Sequence, residues 1–328
     1  MKILVVRFSS IGDIVLTSPV VRCLKQQIPN ATIHFLTKKS FRALVDHNPY
    51  IDQVYAIDKS IDECLIRLKN EKYDFVVDLH NNLRTFSLKN KLRVPTAAFP
   101  KLHIEKWLLV NFKKEMNDKR HIVDRYFEAV KPLKVVNDSL PCDFFIAPED
   151  EVDVSTYDLK SNHYIAFAIG AQFATKRMPV EKMKEIISQI ELPVVLLGGP
   201  TDQEVGKELS QFQNVIDLTG KLTIGQSASV VKQAGVLLTH DTGLMHIASA
   251  FQIPIVSVWG NTVPAFGMYP YYPSDSSKFS IHEVNGLSCR PCSKIGFQAC
   301  PKKHFNCMNQ QNASEIAQDL IIRMHSII

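Results

Sequence analysis

Short, almost wholly apolar runs alternate along the chain with longer stretches in which apolar residues recur every three or four positions. In the first half the runs are Ile3–Arg7, Thr32–Leu36, Gln53–Ile57 and Phe75–Leu79, separated by helix-length segments. Strands that read as continuous apolar runs are those buried on both faces, so the pattern predicts βαβ units and a parallel sheet. Pro19 falls inside the first helical stretch, which must either restart there, with Ser18 as cap, or kink. Residues 101–134 read as helical and basic. The alternation resumes with strands at Tyr164–Ile169, Pro193–Leu197, Val215–Leu218, Val236–Thr239 and Pro254–Val258, and helices over 180–190, 202–212, 224–233 and 242–251. From Trp259 to Asn312 the chain is rich in Pro, Gly, Ser and Cys, and an irregular segment is expected before a last helix.

Between the halves, residues 147–162 hold five carboxylates before Lys160 and little apolar periodicity, which reads as a linker. The expected organisation is an α/β domain over 1–150, a linker over 151–162, and a second α/β domain over 163–312. That second domain includes an irregular cysteine-containing segment at 286–310, and a helix over 313–328 follows it. Two doubly wound, Rossmann-like halves would each bind ligand beyond the carboxyl ends of their strands and face one central cleft. Asp13, the Gly170–Pro179 loop, the Gly198–Asp202 turn and the Asp241–His246 turn all fall at such strand ends.

Composition narrows the class. Apolar residues make up 45% of the 328 residues and charged residues 22%, which suits a folded globular protein. No apolar run approaches a spanning helix, and the N-terminus enters a strand without a signal-peptide pattern, so a soluble cytoplasmic protein is expected. The net charge of +5 is uneven: residues 1–150 carry 24 basic against 18 acidic residues, and 151–328 carry 14 against 15. Within 84–134 there are 13 basic and 5 acidic residues, favouring an anionic partner: a phosphorylated substrate, an acidic membrane face or, last, nucleic acid. No nucleic-acid-binding motif accompanies this charge. Four of seven cysteines cluster as Cys289-x2-Cys292-x7-Cys300-x6-Cys307, a loose match to a zinc or iron–sulfur set, the alternative being reduced thiols packing an irregular segment.

The chemistry concentrates in a few junctions. In Thr239-His-Asp-Thr-Gly-Leu-Met-His246 a strand runs into a helix through an acid, a hydroxyl and a glycine. First-turn N–H groups and the helix dipole attract an anion there, and Gly243 permits close backbone approach. Asp241 or Thr242 can cap the helix. His246 is either packed or a phosphate contact. Asp13 is either a first-turn capping acid or a general base. Lys176, in the loop after the strand ending near Gly170, is either solvated or placed to neutralise charge on a departing phosphate. After Leu197-Gly-Gly-Pro-Thr-Asp202, Asp202 or Glu204 could accept hydrogen bonds from a ribose, Asp202 being slightly preferred. A Gly-x-Gly-x-x-Gly loop, a Walker A loop, a Gly-x-Ser-x-Gly elbow and an Asp-x-Asp pair are all absent, the nearest approach to the last being Glu151-Val152-Asp153 in the linker.

Taken in order, Ser9-Ser-Ile-Gly-Asp13 with Ser18-Pro19, Lys176-Arg-Met-Pro179, Gly198-Gly-Pro-Thr-Asp202, Leu218-Thr-Gly-Lys221 and Asp241-Thr-Gly-Leu-Met-His246 resemble the lipopolysaccharide heptosyltransferases of glycosyltransferase family 9 over essentially the whole chain. The resemblance implies a GT-B fold with an N-terminal acceptor domain and a C-terminal nucleotide-sugar domain, and inverting transfer of heptose or a related sugar from an ADP-sugar to a lipopolysaccharide core. It implies no required cofactor, leaving a structural metal at the cysteines as the one candidate. Asp13 matches the catalytic base and Lys176 the diphosphate-stabilising lysine. Gly170, Asp202, Glu204, Asp241, Thr242, Gly243, Met245 and His246 fall on the donor side. Ser9, Ser10, Gly12, Arg84, Arg120, His121 and Arg125, with Lys119, fall on the acceptor side. Met178 stands where the family commonly has Trp, and Ala171 and Gln172 stand where it sometimes has hydroxyls. Peripheral contact with the cytoplasmic face of the inner membrane is compatible with the charge. The alternatives are a GT-B nucleotide-sugar 2-epimerase and a non-catalytic nucleotide-sugar-binding subunit.

Overall fold

The computed structural model describes residues 1–326, so the last two positions of the predicted 313–328 segment lie outside the described residues. The chain forms two compact units. The first, residues 1–102 with 120–145, holds strands β1 (Lys2–Val6), β2 (Thr32–Lys38), β3 (Gln53–Ile57), β4 (Phe75–Asp78) and β5 (Thr96–Ala98). All are parallel, in the order β3-β2-β1-β4-β5. The apolar runs are buried on both faces, with Leu4, Val6, Leu36, Ile57 and Val76 in one core layer. The first helical stretch restarts as Ile11–Val15 and Ser18–Gln27, with Thr17 at the N-cap. Pro19 has no N–H to offer back up the helix, and the hydroxyls of Thr17 and Ser18 take the carbonyls of Ile14 and Val15 at 2.6 and 2.7 Å.

The second unit comprises residues 103–119 and 146 to the C-terminus. Its strands are β6 (Ile165–Ala168), β7 (Val194–Leu197), β8 (Val215–Asp217), β9 (Val236–His240), β10 (Ile255–Trp259) and β11 (Phe279–Glu283). They form a parallel sheet ordered β11-β10-β9-β6-β7-β8. The helix Ala313–His325 is capped by Asn312 and buries Ile316, Leu320 and Met324 in one of this unit's cores.

Three expectations change. Residues 103–119, read as part of the first domain, belong to the second unit: Lys106 lies over the Phe266 ring at 5.9 Å, and Lys113 donates to the Pro291 carbonyl at 2.7 Å. The 151–162 linker is packed structure. Val154 and Leu159 enter a core of the second unit, and the Val152 N–H donates to Ser229 at 2.9 Å. The stretch 259–312 also contains a strand, β11, whose Ser280 and His282 bond to Asp319 of the last helix.

Candidate active site

In a doubly wound sheet the ligand crevice lies where the strand order reverses, between neighbouring strands whose connections leave in opposite directions. For the first unit that point falls between β1 and β4, and for the second between β6 and β9. Charged groups converge at both.

Beyond β1, the Arg7 guanidinium is buried and pairs with Asp13 at 2.6 Å. Its Nε donates to the Ser9 carbonyl at 2.7 Å and its Nη1 to the Leu79 carbonyl beyond β4. Burial disfavours the Arg7 charge, but Asp13 and its other neighbours outweigh this and raise its pKa. The Ser10 N–H and hydroxyl reach Asp13 Oδ2 at 3.2 and 2.8 Å, and the Tyr126 hydroxyl reaches Oδ1 at 3.4 Å. Asp13 is therefore a capping acid and also a carboxylate fixed on one side by a buried cation, with its side chain still 22% exposed. Arg84 stacks over Phe8 at 5.2 Å, beside this loop. His80, beyond β4, packs edge-on against Phe8 at 5.1 Å, and its pKa is lowered to about 4 by burial and then by Arg7 and Lys101. The sequence reading passed over His80, although it directly follows the Phe75–Leu79 run.

Beyond β6 and β9, Lys176 Nζ lies 2.6 Å from Asp241 Oδ2, and Thr262 donates to the same oxygen at 2.9 Å. A carboxylate repels phosphate, so Asp241 serves here to hold the lysine. The helix Gly243–Ala250 begins beside this pair, and its N-cap Thr242 makes no side-chain capping bond, its hydroxyl lying 3.0 Å from that of Thr239 instead. The first-turn amides therefore have no side-chain cap and suit an anion. Met245 and His246, in the same first turn, are buried, Met245 in a core of this unit.

Asp202 is likewise buried: it accepts the Gly199 N–H at 2.8 Å and faces Arg177 at 3.5 Å. A Cβ on Gly170 would lie 2.2 Å from Asp202 Oδ2, which explains the glycine. Asp202 locks two loops together, and Glu204 is the exposed carboxylate of this turn. His240, missed in the sequence, accepts the Met178 N–H at 3.0 Å; its pKa is lowered to about 4 by burial and then by Arg177. It thereby ties the Lys176 loop to β9.

The cysteine segment buttresses the same site. Arg290, within Cys289-Arg-Pro-Cys292, donates to the carbonyls of Gly260 and Thr262 at 2.6 and 2.9 Å and pairs with Glu283 at 2.6 Å. The Phe297 N–H donates to the Thr175 hydroxyl at 2.8 Å, next to Lys176. Cys289, Cys292, Cys300 and Cys307 are free thiols, and among the described residues no three His, Cys, Asp or Glu side chains are grouped to hold a metal. On the acceptor side, His121 and Arg125 are interior residues at 3% and 0% exposure, and His121 caps the helix Ile122–Phe127. Arg120 is exposed and pairs with Glu128 at 2.7 Å, Lys119 with Glu115 at 2.9 Å. Gly12 is buried within the Ile11–Val15 helix, leaving Ser9, Ser10 and Arg84 at the surface near Asp13.

Two parallel α/β domains of this kind are the architecture of the GT-B fold. The fold is shared with a glycosyltransferase family 9 protein from Veillonella parvula (TM-score 0.79, 22% identity, 99% of this chain and 97% of that one). It is shared also with Escherichia coli ADP-heptose LPS heptosyltransferase II (TM-score 0.73, 20% identity, 99% of both). In sequence the chain is 23% identical over 318 residues to Haemophilus influenzae lipooligosaccharide heptosyltransferase 2, covering 86% of this chain and 88% of that protein. Residues 64–295 match the family model for glycosyltransferase family 9 (heptosyltransferase), and the chain belongs to that family.

Proposed function

We propose that this protein transfers heptose from ADP-heptose to a lipopolysaccharide inner-core acceptor, with inversion. The acceptor hydroxyl gives its proton to Asp13, its oxygen forms the new bond to the anomeric carbon, and the bond to the diphosphate breaks on the opposite face with its electron pair leaving on ADP. Asp13 suits the base role because Arg7 and Ser10 fix its position and the compensating charge is already in place. Lys176 and the first-turn amides of Gly243–Ala250 hold the charge that grows on the leaving diphosphate, a contribution of several kcal/mol to the barrier when donors are pre-organised. Glu204 is the better placed carboxylate for the ribose. Arg84, and Lys101 near His80, suit a phosphate- and carboxylate-rich acceptor.

The observation that carries this reading is the Lys176–Asp241 pair beside an uncapped helix start at the β6/β9 switch point. Thermal stabilisation by ADP, UDP, GDP, CDP and NAD tests it. Selective stabilisation by ADP that is lost in Lys176→Ala is expected. A preference for UDP or GDP would overturn the donor assignment.

A further inference from the structure

The helix His103–Phe112 has two faces of opposite character. Leu109 packs inward, as does Met116 in the segment that follows, whereas Ile104, Trp107 and Phe112 are 75%, 53% and 66% exposed. Positions 104, 107 and 112 lie on one helical stripe, and the Trp107 and Phe112 rings meet edge to face at 5.3 Å. Three large apolar side chains thus form one platform open to solvent. Residues 101–120 hold six Lys and Arg against three Asp and Glu, and Lys113 and Lys114 are exposed at the end of the helix, Lys113 while donating to the Val110 and Pro291 carbonyls.

We propose that this helix face docks the protein on an anionic lipid surface. A short stripe of Trp, Phe and Ile bordered by lysines is the composition of an interfacial helix: the apolar face enters the acyl boundary and the ammonium groups meet anionic headgroups. Tryptophan suits that depth because its ring is apolar and its N–H polar. The lysines at the end of the stripe favour a lipid surface, where a small apolar foothold is reinforced by attraction to anionic headgroups. Among the described residues no helix is long and apolar enough to cross a membrane, so attachment by this helix would be peripheral. The inference extends the proposed function, since a lipid-anchored core acceptor has to be met at a membrane, yet it is testable apart from catalysis.

The chain has two tryptophans, and Trp259 is 1% exposed, so bromine placed in lipid acyl chains reports on Trp107. Full-length protein is mixed with phosphatidylcholine vesicles, with and without about one-third phosphatidylglycerol. Expected are co-sedimentation with the anionic vesicles alone, weakening with added salt, and quenching of Trp107 emission by brominated lipid. The combined substitutions Ile104→Ser, Trp107→Ser and Phe112→Ser should lower partitioning at least about tenfold. Stabilisation by ADP should be unchanged in that variant, which shows that it folds. The proposal is overturned by no binding to anionic vesicles, by binding without quenching, by full binding of the triple variant, or by a lipid-free dimer that the triple variant abolishes. Loss of ADP stabilisation in the wild-type chain would instead count against the glycosyltransferase reading and leave vesicle binding to be judged alone.

Discussion

Replacing Asp241 by Asn separates two effects of the Lys176–Asp241 pair that the wild-type chain combines. The charges sit 2.6 Å apart, with side chains 17% and 13% exposed. At an effective dielectric near 20 their attraction is roughly 6 kcal/mol, most of it offset by desolvation. Removing the carboxylate strands a mostly buried ammonium, which costs 3–5 kcal/mol in a fully buried pair. The cost here should be about 2–3 kcal/mol, because Lys176 retains some solvent and the Asn oxygen can still accept from Thr262. In a unit of this size that lowers Tm by roughly 4–10 °C. A bound diphosphate then supplies the missing negative charge, so ADP should stabilise Asp241→Asn more than wild type and bind about tenfold more tightly. Turnover should fall about tenfold or more, since the lysine is no longer held in position. Differential scanning calorimetry with and without ADP, and titration calorimetry, read both effects. Unchanged Tm together with weaker ADP binding would refute the assignment of Asp241 as the residue that holds Lys176.

Gly170→Ala should destabilise by about 1–3 kcal/mol in urea denaturation, because the new methyl meets Asp202 Oδ2 at 2.2 Å; a wild-type midpoint would show that the two loops separate at no cost. Arg290→Ala leaves the Gly260 and Thr262 carbonyls and the Glu283 carboxylate without their partner. It should lower kcat about tenfold through Thr262 and Asp241 while Asp13 is untouched, and wild-type kcat would remove the buttressing role. Stability should decline as pH falls from about 6.5 to about 4. His80 and His240, both lowered to about 4 chiefly by burial, stay neutral in the fold while the unfolded chain takes up protons. Their contribution is complete above 6.5 and lost as pH falls toward 4. His240→Gln, which keeps an acceptor for Met178, should flatten that slope in urea midpoints from pH 7 to 4, and an unchanged slope would exclude His240 as a source.

Both sheets were legible because their strands are buried on two faces and read as apolar runs. β5 was not, being three residues of Thr and Ala, and β11 was not, because its residues are half-buried and alternate with Ser, His and Glu. Residues 103–119 follow the first unit in sequence and pack on the second through Phe266 and Pro291, a long-range contact that local periodicity does not encode. At the site, motif position alone singled out Met245, His246 and Asp202, and their burial, with Asp202 accepting the Gly199 N–H and filling the space beside Gly170, appears only in the fold. The residues overlooked are those acting through others. Arg7 read as the end of a strand, His240 as the first residue of a strand-to-helix junction, and Thr262 as irregular chain, and only the fold brings them to Asp13, Met178 and Asp241.

The most direct test of the central claim is acceptor-dependent release of ADP from ADP-heptose, with a heptose-deficient lipopolysaccharide core as acceptor, for wild type, Asp13→Asn and Lys176→Ala. Wild type should release ADP only when the acceptor is present. Asp13→Asn should lose at least about 100-fold in kcat while still being stabilised by ADP, and Lys176→Ala should lose both rate and ADP stabilisation. ADP release that needs no acceptor, or an Asp13→Asn variant with wild-type turnover, would contradict the account.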